Sequence, residues 1–132
     1  MRDLLYGAVA DRQVQLLRQL LFVGSSRKDL GDFPGEVQRE VGYALYLGQL
    51  GDRAPSVKTL SGFGGGGVVE IVEDHDGDTY RCVYTVKLKS ALYVLHAFKK
   101  KSKRGSETPK HDIELVRARL REAEAQDRAA NG

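Results

Sequence analysis

Asp76-Gly77 lies between two strand-like runs, Val68–Glu73 and Thr79–Leu88. A two-residue loop of this type joins antiparallel strands, because its backbone twist matches theirs. The stretch Asp74-His75-Asp76-Gly77-Asp78 therefore predicts a hairpin. Lys89-Ser90 turns the chain again, into a third apolar run, Ala91–Phe98. Two hairpins in sequence make an antiparallel meander. Alternation places Tyr80, Cys82, Tyr84 and Val86 on one face of the middle strand, and Thr79, Arg81, Val83, Thr85 and Lys87 on the other. In the third strand it groups His96 and Phe98 with Leu92 and Val94.

Helices flank this meander. Upstream, Leu20–Gly24 reads as a short buried strand. Val37, Val41, Ala44 and Leu45 recur at helical spacing within Phe33–Leu50, and Pro34 suits the first turn. Gly48 and Gly51 suggest an end, or a break into a second short helix. Ala54–Gly67 reads as a connector with a run of glycines, Gly64–Gly67. Such a run either cradles phosphate or serves backbone angles that only glycine adopts easily; it lacks the Lys-Ser/Thr of a P-loop. Downstream, Thr108 reads as an N-cap and Pro109 as the first helical residue. Ile113, Val116 and Leu120 form an apolar stripe that should pack on the sheet. The tail Ala123–Gly132 is polar and Ala-rich and is expected to fray. Residues 1–19 read as an added segment, helical or disordered, ahead of one domain at 20–122. Tyr43, Tyr46, Tyr80, Tyr84 and Tyr93 read as core or core-edge aromatics.

Charge narrows the function. The 132 residues carry 21 Lys plus Arg against 18 acids, a net charge of +3. Distribution says more than the total. Between Lys99 and Arg104 five of six residues are cationic: Lys99, Lys100, Lys101, Lys103 and Arg104. A local field of this sign favours an anionic partner. One cysteine, Cys82, forbids an intrachain disulfide, and its apolar surroundings suggest a buried small hydrophobe. No apolar stretch approaches the ~20 residues of a membrane helix, and the N-terminus lacks the pattern of a signal peptide, so a cytoplasmic protein is expected. Three scattered histidines and one cysteine make no metal motif; neither a metal nor a cofactor is expected.

Several residues invite two readings. Arg81, in mid-strand, is either a structural ion pair with Glu70 on the preceding strand or a clamp for phosphate oxygens. His96 is either a satisfied core residue or a proton carrier. Phe98 is a hydrophobic plug or a platform for an unpaired base. Lys58 is a phosphate contact or an ordinary loop lysine. Together, cations, an imidazole and an aromatic ring near one strand end suit RNA binding and chemistry on it.

The order of elements, with the strings FVGSSRKDLGDFPGEVQREVGYALYLGQLG (Phe22–Gly51), DHDGDTYR (Asp74–Arg81) and LHAFKKKSKRG (Leu95–Gly105) followed by Thr108-Pro109-Lys110, resembles the RelE/ParE superfamily of bacterial toxins. The likeness is to its phage-derived, HigB-like branch and runs from the first strand to the last helix. It implies an α+β, RelE-like fold: an N-terminal strand and helical hairpin, a mostly antiparallel three-strand meander and a C-terminal helix. It implies a type II toxin, a ribosome-dependent mRNA endonuclease that works without metal, by attack of the 2′-hydroxyl on the adjacent phosphate. The implied partners are a helix-turn-helix, HigA-like antitoxin, the ribosome and mRNA. The resemblance matches Arg81, Glu70, His96, Phe98 and Lys99–Lys101 to site positions of the family; the catalytic candidates are then Arg81, His96, Glu70, Lys99 and Lys100, and Lys58, Phe98, Lys101, Lys103 and Arg104 are the candidates for binding RNA. After Phe98 the chain lacks the tyrosine that several RelE relatives use, which leaves His96 and Glu70 as candidate bases. Two rivals stand beside this reading: a ParE-like toxin that binds gyrase, and a non-catalytic phage-derived protein that only pairs with an antitoxin.

Overall fold

The computed structural model describes residues 17–100 and 107–132. The elements run β1 (Gln19–Phe22), α1 (Ser26–Gly31), α2 (Gly35–Gln49), β2 (Val57–Thr59), β3 (Val68–His75), β4 (Asp78–Thr85), β5 (Ala91–Lys100) and α3 (Lys110–Asn131). The fold is α+β, with a mixed five-stranded sheet in the order β1-β5-β4-β3-β2. β1 pairs with β5 in parallel; the other pairs are antiparallel. The expected hairpin is present. Asp76 and Gly77 both have positive φ, 49° and 83°, as its two-residue turn requires.

Each sheet face has its own core. On one, α2 lays Val37, Val41, Ala44 and Leu45 against Ile71, Cys82, Tyr84, Leu92 and Val94. On the other, α3 packs Val116 and Ala123, with Ile113 and Leu120, against Val68, Val83, Tyr93 and Leu95. Burial pushes the Cys82 thiol up to about 12, with the Glu70 carboxylate adding to the effect, so this thiol is inert. Among the described residues no helix is long and apolar enough to cross a membrane.

Of the two alternatives at Gly48 and Gly51 the end holds: α2 stops at Gln49, and the short helix of the pair, α1, precedes it. Several expectations need correction. The connector holds a strand, β2, whose Lys58 lies opposite Glu70; three residues are too few to show periodicity. Thr108 does not cap the last helix. Pro109 occupies the N-cap position, with no side-chain cap, and the Thr108 hydroxyl is used elsewhere. The tail does not fray, because α3 continues to Asn131. Asp127 fixes it by accepting the backbone N–H groups of Lys89 and Ser90 (3.0 and 2.8 Å) and the Tyr93 hydroxyl (3.1 Å). Burial pushes the Asp127 carboxyl up, but these bonds outweigh it and hold it below its ordinary value. Tyr43 and Tyr46 also differ from expectation: they are exposed on the outer side of α2.

Candidate functional site

One irregularity in β5 organises the site. Tyr84 opposes Val94, yet Val83 opposes His96, so Leu95 is an extra residue in a β-bulge. Ahead of the bulge, Leu92 and Val94 point into the α2 core. Beyond it the alternation is inverted. Leu95 and Phe98 belong to the α3 face, and Ala97 to the α2 face. His96 reaches α3 as well, where its Nε2 lies 2.7 Å from Asp112 Oδ1. Strict alternation groups His96 and Phe98 with Leu92 and Val94; the bulge separates them.

The same inversion carries Lys100 to the α3 face, where Glu70 and Arg81 lie. Glu70 is fully buried and Arg81 nearly so. Arg81 Nη1 donates to Glu70 Oε1 at 3.0 Å, and Lys58 Nζ is 3.8 Å from the same oxygen. Thr108 closes the group. Its hydroxyl donates to Glu70 Oε2 at 2.8 Å and lies 3.3 Å from Arg81 Nη1, which donates to it. Lys100 is 5% exposed. Burial pushes its pKa down, and Arg81 and Lys58 push it further, against the opposing pull of Glu70 and Glu107. Three cations thus share one buried carboxylate.

Two members of this cluster, Lys58 and Thr108, line an open hollow of about 410 Å³. The hollow is lined by Lys58, Ser61, Gly62 and neighbours from the β2 side, and by Glu107, Thr108, Ile113 and Arg117 from the α3 side. Arg117 lies over the Phe63 ring at 4.8 Å. The positive φ values of Gly64, Gly65 and Gly66 give the glycine run its reason, since L side chains rarely adopt them.

His96 is engaged at both nitrogens. Nε2 meets Asp112, and Nδ1 lies 3.4 Å from Arg119 Nη1. Because Arg119 can only donate, Nδ1 accepts and Nε2 carries the proton toward Asp112. Burial lowers the His96 pKa below its ordinary value; Asp112 works against this but does not overcome it. The imidazole also stacks on Phe98, with centroids 4.7 Å apart.

A family model described as phage-derived protein Gp49-like (DUF891) matches residues 28–121. The chain belongs to this family. The Gp49-like proteins are a RelE-like toxin family, which accords with the α+β fold. Membership is compatible with the toxin of a toxin–antitoxin pair and implies an antitoxin partner. No curated protein and no solved structure matches significantly.

In this Gp49-like chain the candidates divide by face. Lys58, Glu70, Arg81, His96, Phe98 and Lys100 share the α3 face. Lys99 lies on the opposite face, opposite Tyr80, with its ammonium 3.1 Å from Asp78. That contact raises its pKa. Lys101, Lys103 and Arg104 lie outside the described residues. Sequence reading missed Thr108, Asp112, Arg117 and Arg119 as members of the site. The one available signal was spacing: Asp112 and Arg119 are seven apart, two helical turns, and so fall on one face of α3. Among the described residues no group of His, Cys, Asp and Glu is placed to hold a metal ion.

Proposed function

We propose that this protein is the toxin of a type II toxin–antitoxin pair in the HigB-like branch, and that it cuts ribosome-bound mRNA in the cytoplasm. The antitoxin in this reading is a helix-turn-helix protein. The observation that carries the proposal is Lys100: a buried lysine with a lowered pKa, in one cluster with Glu70, Arg81 and Lys58, the last of which lines an open hollow. A lysine shifted toward neutrality gives up its proton more readily than an ordinary one.

The step balances with side chains alone. Glu70 takes the proton of the ribose 2′-hydroxyl. The 2′-oxygen attacks phosphorus, and the bond from phosphorus to the 5′-oxygen breaks. Lys100 protonates that leaving oxygen. Lys58 and Arg81 stabilise the charge that grows on the non-bridging oxygens. The products are a 2′,3′-cyclic phosphate and a 5′-hydroxyl end. His96 is not the base here, because Asp112 and Arg119 occupy its two nitrogens; it fixes α3 on β5.

Induction in growing cells without the antitoxin, followed by mapping of mRNA 5′ ends, tests the proposal. Growth arrest with new 5′-hydroxyl ends inside translated messages is the expected result. Intact messages with accumulated gyrase–DNA breaks would instead mark a gyrase poison.

A further inference from the structure

The Thr108 hydroxyl makes two contacts that nothing in helix capping explains. It donates to Glu70 Oε2 at 2.8 Å and accepts from Arg81 Nη1, 3.3 Å away. An alcohol that donates to a carboxylate and accepts from a guanidinium is what a ribose 2′-hydroxyl must be in order to be activated at this place. Thr108 also lines the hollow, while Glu70 lies directly behind it with no exposure of its own. The threonine hydroxyl therefore stands between the hollow and Glu70 Oε2.

We propose that Thr108 is a built-in plug: its hydroxyl occupies the position of the substrate's 2′-hydroxyl and must leave before Glu70 can act. The inference rests on the nuclease reading and deepens it by naming the substrate group that Glu70 and Arg81 recognise. Thr108 lies two residues ahead of α3 and stands outside it, so it can be displaced without unwinding the helix. The plug also closes a costly gap. A buried carboxylate with an unmet acceptor oxygen is destabilising, and the threonine meets that need in the resting protein. Binding of RNA then exchanges one hydroxyl for another instead of forming a new contact.

Thr108→Val keeps the shape and removes the hydroxyl; Thr108→Ser keeps the hydroxyl. The probes are adenosine 3′-monophosphate and its 2′-deoxy counterpart, which contain no bond to cut. Calorimetry on the folded proteins should show the ribo form binding about tenfold more tightly to Thr108→Val than to wild type, the scale of one competing hydrogen bond to a charged group. The deoxy form should be unchanged, and Thr108→Ser should match wild type with both. Water-soluble carbodiimide, read by mass spectrometry, should label Glu70 faster in Thr108→Val. An equal gain for both nucleotides, or no gain for either, overturns the plug. Weaker binding of the ribo form to Thr108→Val overturns it as well, since Thr108 would then be holding Glu70 and Arg81 in their working geometry. A ribo-specific gain in a protein that cuts no mRNA keeps the hydroxyl site and rejects the nuclease, so the two readings fail separately.

Discussion

At the residue scale, Arg81 forms the ion pair that one of its sequence-based descriptions expects, while the phosphate clamp belongs to the proposed mechanism. It is the ion-pair partner of Glu70 at 3.0 Å, and it faces the site through Thr108. Stability and chemistry can be separated by double substitution. Arg81→Ala leaves a buried carboxylate without its guanidinium, a loss on the order of 3–5 kcal/mol. Replacing both partners by apolar groups, Arg81→Met with Glu70→Leu, should recover most of that in urea denaturation. Neither variant should cut RNA; loss of one transition-state donor alone costs about a hundredfold or more. A double variant that regains cleavage along with stability would make the pair purely structural. His96 gives a second test. Its pKa is depressed in the fold, so the unfolded chain takes up the proton first as pH falls. The stabilisation is fully present above the ordinary value of 6.5 and is lost as pH drops through the folded value. His96→Gln keeps a donor for Asp112 and an acceptor for Arg119 but does not titrate. Its stability should therefore fall less steeply than wild type below about pH 6.5, measured by denaturation across pH.

At the element scale, the longest helix shows where local reading of the sequence stops. Ala123–Gly132 looks dispensable because its residues are small and polar, yet Ala123 and Asp127 are buried and the helix runs to Asn131. The carboxylate that anchors it serves a turn 37 residues away in sequence, at Ser90. No window along the chain contains both. Truncation after Glu122 should lower the melting temperature clearly, and Asp127→Asn should do so in part, by weakening the bonds to Lys89 and Ser90. An unchanged melting temperature after truncation would restore the picture of a loose tail. The hairpin, the long helix and the apolar stripe of α3 were legible because each follows from a period or a turn signal within a few residues. β2 was too short to show a period. Glu70 and Arg81 could be paired because their strands are joined by a recognisable turn. The bulge at Leu95 left no mark, since it depends on how β5 meets β4, and with it went the correct face for His96, Phe98 and Lys100. Thr108, Asp112 and Arg119 were missed for a related reason: they enter the site only when α3 folds back across the sheet.

At the scale of the whole molecule, the sheet divides a charge run that is continuous in sequence. Lys99 and Lys100 are neighbours, yet Lys99 faces Asp78 on the α2 side and Lys100 faces Arg81, Lys58 and Glu70 on the α3 side. The two faces are insulated from each other by packed apolar cores. Lys99 is solvated and already neutralised locally; such a surface pair adds little beyond its long-range field, which salt screens. Lys100 is buried beside two other cations, Arg81 and Lys58, and the proposed mechanism gives that third charge the role of acid. Lys99→Ala should therefore leave single-turnover cleavage at saturating ribosome within about twofold, with at most a weaker, salt-sensitive association. Lys100→Met, which keeps the apolar stem and removes the charge, should slow the same step by about a hundredfold, the scale of general acid catalysis. It should also hold or raise stability in urea, because it relieves the repulsion from Arg81 and Lys58. Opposite signs in activity and stability at Lys100, with neither change at Lys99, mark a charge kept for chemistry. An equal loss of the chemical step at both positions would mean that the basic run acts as one unit across the sheet, and that the division of the site by face is wrong.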